Sequence, residues 1–180
     1  MILHRDDDWL VVDKPTGLAT HAGKPGELGA AEWLALHRDE EVHIVSRLDR
    51  GTSGVLLLAR HADASARAQE IHASGAATKT YSFLAAADSR DLALGDAWTR
   101  EDEVDGKTAA TAFRRIGRSA DGRWVHYEAT LSHGRRHQVR RHAALAGVPL
   151  LGDDEHGGPA APRLALHCRE VRWPGLAAPL

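Results

Sequence analysis

The chain has a single cysteine, Cys168, in 180 residues. No intrachain disulfide can form, which fits a reducing compartment. The N-terminal stretch MILHRDDDWLVV lacks a cationic start followed by a long apolar core, so no secretory signal is expected. Apolar runs fall far short of the ~18 residues needed to span a bilayer, so no membrane partner is expected, and the expected location is the cytoplasm. Excess positive charge is also missing: 23 Lys and Arg stand against 25 Asp and Glu, a net charge of −2. No internal repeat, low-complexity tract or clear linker interrupts the sequence. A chain of 180 residues is most simply one domain, here 1–180. It can bury roughly 70% of its unfolded surface without a disulfide or metal staple.

The charges present are unevenly spread. HGRRHQVRRH, His133 to His142, gathers Arg135, Arg136, Arg140 and Arg141 among histidines, while acids cluster at 6–8, 39–41 and 101–103. A neutral protein can therefore carry a local positive face. Trp9 to Val12 reads as a strand running into a Pro-Gly turn. Leu28 to His37 reads as a helix, and Val42 to Val45 as a short strand. Gly54 to Ala59 reads as a buried strand. Asp63 is a candidate cap for a helix over Ala64 to Ala73 that Gly75 ends. Thr78 to Ala85, Thr108 to Ile116 and Arg123 to Leu131 read as strands, the last two joined by a hairpin-like turn. Gln138 to Ala146 reads as a helix and Arg163 to Val171 as a final strand. This order predicts an α+β fold with a mixed, mostly antiparallel sheet and flanking helices.

Four places could carry chemistry. In VSRLDRGTSGVLLLAR, Asp49 stands between Arg47 and Arg50, just before a glycine-bounded turn that feeds the buried strand. It could be a functional carboxylate at a sheet mouth or simply the cap of that turn. The stretch from His133 to His142, read as a helix, would put Arg136 and Arg140 on one face and His133 and His137 on another. That arrangement suits phosphate binding, and equally a solvated cationic face. His133, His137 and His142 lack the Glu that a zinc-protease helix needs, and no metal is expected. Lys79 and Tyr81 share one face of a strand. DKPTGLATH contains Lys14 and His21 in and after a Lys-Pro-x-Gly turn.

Six segments occur in an order that resembles the RluA family of pseudouridine synthases. They are WLVVDKPTGLATH, SRLDRGTSGVLLLAR, KTYSFL, KTAATAFRRI, EATLSHGRRHQVRRHAALAGVPLLGD and RLALHC. The resemblance implies a pseudouridine-synthase-like α+β domain with a central RNA-binding cleft. It matches Asp49 to the catalytic aspartate, Tyr81 to the tyrosine lying against the target base, and Arg140 to the arginine that pairs with the catalytic carboxylate. Arg47 matches a position that can contact RNA near the flipped base. Arg50, Lys79, Arg135, Arg136, His137, Gln138, Arg141, Lys14 and His21 are the further RNA-binding candidates. Ser46 stands where His is common, His133 where Thr is common, and Arg136 replaces the Thr after Gly-Arg. The RNA-binding S4 domain frequent in the family is not expected here, and AAPL follows the last strand. The reaction involves no redox change, so no cofactor is expected. The expected partner is ribosomal or transfer RNA, and a monomer is expected. Which RNA, which uridine and which chemical route, covalent adduct or glycal, stay open.

Overall fold

The computed structural model describes residues 1–24, 26–87 and 95–176. The AAPL tail lies outside them. The chain forms two compact units, Met1–Ala77 with the stretch from Cys168 onward, and Thr78–His167. Among the described residues no helix is long and apolar enough to cross a membrane.

The first unit is built on β1 (Ile2–Arg5), β2 (Trp9–Lys14), β3 (Ser53–Ala59) and β8 (Leu166–Arg172), in that spatial order. Strand β2 runs antiparallel to both β1 and β3, with Trp9 opposite Ala59 and Lys14 opposite Gly54. Both β2 and β3 are apolar on both faces, and both are buried nearly throughout. That is why their sequence runs uninterrupted instead of alternating. Helix α1 (Ala30–Arg38) begins where Glu32 accepts hydrogen bonds from the backbone N–H groups of Gly29 (2.9 Å) and Ala22 (3.0 Å). Helix α2 (Ala62–Ser74) ends at Gly75, whose φ of 68° is the left-handed conformation that glycine adopts freely. Its N-cap is His61 and not the expected Asp63: the ring Nδ1 accepts from Ala64 N at 3.3 Å. Asp63 sits in the first turn, where its charge favours the helix dipole. The expected strand at Val42 to Val45 reduces to one bridge, His43 with Ala59. Three residues on, the Ser46 hydroxyl donates to Leu57 O at 2.9 Å.

Gly54 is a position where nothing but hydrogen fits. Its φ is 110°, and a Cβ there would stand 2.1 Å from the carbonyl oxygen of Cys168. Gly54→Ala is expected to destabilise the protein by about 3 kcal/mol or more, as strain and clash combine. Urea unfolding measures this, and a midpoint equal to wild type would contradict it.

The second unit is a four-stranded antiparallel sheet in the order β4 (Thr78–Ala86), β7 (Trp124–Leu131), β6 (Lys107–Arg118) and β5 (Ala97–Val104). Each strand contributes one ring to an aromatic core. Phe83 stacks on Tyr127 (centroids 5.2 Å) and Trp98 on Phe113 (5.1 Å), with edge contacts joining the pairs. Strand β5 was not anticipated, because AWTREDEV carries four charges on its eight residues. Asp105 and Gly106 close it onto β6, both with positive φ (53° and 72°), the two-residue hairpin that Asp-Gly favours. Helix α3 (Gln138–Leu145) packs on β5 and β6. It starts at Gln138 as expected; His133 to His137 form the approach to the helix, so the helical faces drawn for His133, Arg136 and His137 do not exist.

Candidate active site

In the first unit two loops are tied together around Asp49. After Asp49 the chain turns tightly, with Thr52 N donating to Asp49 O at 3.0 Å. The Lys-Pro-x-Gly loop grips both sides of this turn. Gly17 N donates to Arg50 O (2.8 Å), Thr16 Oγ1 to Gly51 O (2.8 Å), and Thr20 Oγ1 to Leu48 O (2.9 Å) while accepting from Leu48 N (3.0 Å). Asp49 is half-buried, while Arg47 and Arg50 are exposed, and Arg50 reaches Glu27 at 3.2 Å. His21 is half-buried at the end of the same loop.

Lys14 differs from expectation. Read as an RNA contact, it is 1% exposed, and its Nζ donates to Pro15 O (3.0 Å) and Leu18 O (2.6 Å). An ammonium so placed has no face for a phosphate. It holds its own loop closed. Burial lowers its pKa from 10.5 to about 8, against the pull of the Asp49 charge, which favours the ammonium. The folded state therefore gives up this proton near pH 8, while the unfolded chain keeps it to near 10.5. Between those values the unfolded state binds more protons, so the cost of burying Lys14 is relieved as pH rises. Wild type is expected to gain stability relative to Lys14→Met between pH 8 and 10. Urea midpoints at pH 7, 8, 9 and 10 check this, and a constant offset between the two proteins would refute it.

In the second unit the basic stretch divides by role. Arg136 is exposed, and Arg135 is half-buried. Arg141 pairs with Asp105 at 2.9 Å on the surface. Gln138, expected to touch RNA, is 3% exposed with its amide committed inward. Its Nε2 donates to Ala110 O (2.9 Å) and Thr111 Oγ1 (3.1 Å), and its Oε1 accepts from Arg135 N (3.0 Å). It fastens the start of α3 to β6 and leaves no amide group for a base edge. His142 is fully buried, with Nδ1 2.9 Å from Thr111 Oγ1, and burial lowers its pKa. Tyr81 and Lys79 stand on β4 opposite Ala129 and Leu131, Tyr81 8% exposed.

Arg140 is buried in a bidentate pair. Its Nε and Nη2 donate to the two oxygens of Asp153 at 2.8 and 2.5 Å, and Nη2 reaches Glu155 Oε2 at 3.2 Å. Fork-to-fork pairing of this kind fixes the guanidinium plane. The sequence reading assigned no role to Asp153 or Glu155, although Gly152-Asp153 closes the motif that contains Arg140. A buried arginine demands a carboxylate, and that Asp was the nearest one in the segment. Glu155 also faces His137 and His156, and these three side chains are the only group of possible metal ligands among the described residues.

Residues 8–145 match the RNA pseudouridylate synthase family. The chain belongs to that family. It is 32% identical to the uncharacterized RNA pseudouridine synthase YhcT of Bacillus subtilis, over 95% of this chain and 63% of the relative. It is 30% identical to the ribosomal large subunit pseudouridine synthase C of Vibrio vulnificus, over 96% of this chain and 61% of the relative. The chain thus spans about three fifths of the length of these relatives. Among solved structures, the human RNA pseudouridylate synthase domain containing 1 protein superposes with a TM-score of 0.80 at 22% identity, covering 99% of this chain and 80% of that one. At that identity the likeness establishes the shared α+β fold. All of the first-unit turn, Tyr81 and Arg140 fall inside the family match.

Proposed function

We propose that this chain isomerises a uridine in structured RNA to pseudouridine, with ribosomal RNA as the substrate. The C1′–N1 glycosidic bond breaks, C1′ bonds to C5 of the same base, C5 loses a proton and N1 gains one. Composition is unchanged, and no electron carrier is required. The observation that supports this best is that Asp49, the family's aspartate by motif, lies in a turn that five hydrogen bonds hold in place. A carboxylate so fixed is suited either to attack the substrate or to remove a sugar proton. Arg140 takes the cationic role that its motif position carries in the family.

A stacked uridine cannot reach a recessed carboxylate, so it must leave the helix, at a cost of a few kcal/mol. Tyr81 is the ring proposed to receive the base, a contact of ~1–3 kcal/mol. Arg47, Arg50, Arg135 and Arg136 are the side chains proposed to meet phosphates, with Lys79, Arg141, His137 and His21 as further candidates. Phosphate contacts of this number make binding weaken steeply with salt. Ribosomal RNA is favoured over transfer RNA by the printed function of the relatives named for the large ribosomal subunit. A cytoplasmic, monomeric protein fits this reading.

The experiment is pseudouridine mapping by mass tagging in total RNA from cells with and without the protein, with wild type or Asp49→Ala restored. A ribosomal uridine whose modification returns only with wild type supports the proposal. If no site in any RNA class changes, the reading fails. A transfer RNA site would keep the reaction and overturn the substrate.

A further inference from the structure

We propose that His137, His156 and Glu155 form a binding site for one divalent ion of the zinc class within the second unit. The three donors come from two segments, the approach to α3 and the 3-10 turn Asp154–His156, and all lie within 4.8 Å of one another. His137 Nδ1 stands 3.3 Å from His156 Nε2 and 3.2 Å from Glu155 Oε1. Four-coordinate zinc with bonds of about 2.0–2.2 Å has ligand-to-ligand edges of about 3.3–3.6 Å. Two edges of that tetrahedron are therefore formed already.

The surroundings suit a cation. Asp153 and Glu155 carry two negative charges against one on Arg140, and the imidazoles are ligands in their neutral form. Arg140 also orients the carboxylate, because it holds Oε2 while Oε1 faces His137. An outer partner of this kind is what metal-binding carboxylates usually have. The two histidine rings meet at 86°, so face-to-face stacking is not what brings them together. Glu155 is more than half exposed and His137 nearly buried, which leaves one side open to solvent. A depression of about 380 Å³ lined by Arg141, Ala144, Leu145 and His156 adjoins the cluster. It has room for a water molecule as the fourth ligand. His133 and His142, the other rings nearby in sequence, are not in the cluster, and His142 Nδ1 is engaged by Thr111.

The test is calorimetric titration of chelator-stripped, untagged protein with Zn²⁺ alone, alongside His156→Ala, Glu155→Ala and the control His4→Ala. One equivalent is expected to bind wild type and the control in the micromolar range or tighter. Each site variant is expected to weaken binding by at least ~10-fold, since even outer-shell changes cost that much. Zn²⁺ is also expected to raise the melting temperature of wild type but not of the site variants. Glu155→Ala removes a surface side chain, so it reports even if His156→Ala folds poorly. No stoichiometric binding, or equal binding by wild type and both site variants, overturns the proposal. Neither readout uses RNA or turnover, so the result stands apart from the synthase reading.

Discussion

Replacing Asp49 with asparagine is expected to lower the rate of pseudouridine formation by at least ~10³-fold, the scale seen when a nucleophile is removed from a preformed site. The backbone should hold, because main-chain groups of residues 48–52 are bonded to one another and to Thr16, Gly17 and Thr20. RNA affinity should change little, since the exposed Arg47 and Arg50 beside it are untouched. Asp49→Glu separates charge from position. It keeps the negative charge near Lys14 and moves the carboxylate by one methylene. If geometry governs the chemistry, the glutamate variant should also lose most of its turnover. Single-turnover assays on an RNA bound above its Kd compare all three proteins. Asparagine activity above about a tenth of wild type would remove Asp49 from the reaction.

Asp153→Ala is expected to be the most destabilising single change in the second unit, by about 3–5 kcal/mol, because it strands a buried guanidinium. The pair is buried: the Asp153 side chain has no exposure and that of Arg140 is 10% exposed. Glu155, mostly in solvent, offsets only part of the loss. Asp153→Asn keeps one acceptor and should fall between. The double variant Arg140→Met with Asp153→Leu should recover much of the stability, since a packed apolar pair has no charge to desolvate. A double-mutant cycle from urea unfolding gives the coupling. A cost below about 1 kcal/mol for Asp153→Ala would show that Arg140 does not depend on this carboxylate.

Much of this architecture is legible in the sequence where apolar pattern and glycine position agree. The run Val55–Ala59 had to be a buried strand, and Gly75 had to end α2. Strand β5 was hidden because charge lies on both of its faces, Glu101 and Glu103 on the exposed one and the Arg100–Asp102 pair on the face of Trp98, and only Asp105-Gly106 betrayed the hairpin. Side-chain commitments were harder to read. Lys14 and Gln138 look like RNA contacts in one dimension, because a cation and an amide in a binding motif invite that reading. Folded, each spends its donors on backbone carbonyls of its own unit. A loop folding back on its own lysine decided the first and a bond to a strand 28 residues away the second, and spacing carries no signal for either. The motif did mark Asp49, and Gly152-Asp153 was a signal for the partner of Arg140 that went unused.

The first unit is discontinuous in sequence, whereas the second is one unbroken insertion, Thr78–His167. That has a consequence on the ribosome. Strands β1 to β3 emerge early, yet β3 meets its neighbour β8 only after the whole insertion has been made. At ~5–20 residues per second, that wait lasts roughly 5–20 s. Through it, one edge of the apolar β3 and the place of Trp173 against Trp9 and His72 stay open. The second unit, complete once His167 has cleared the exit tunnel, can fold as the chain appears. The nascent protein thus has a vectorial order, insertion first and host last, with an interval in which an unpaired strand edge is what a chaperone would recognise.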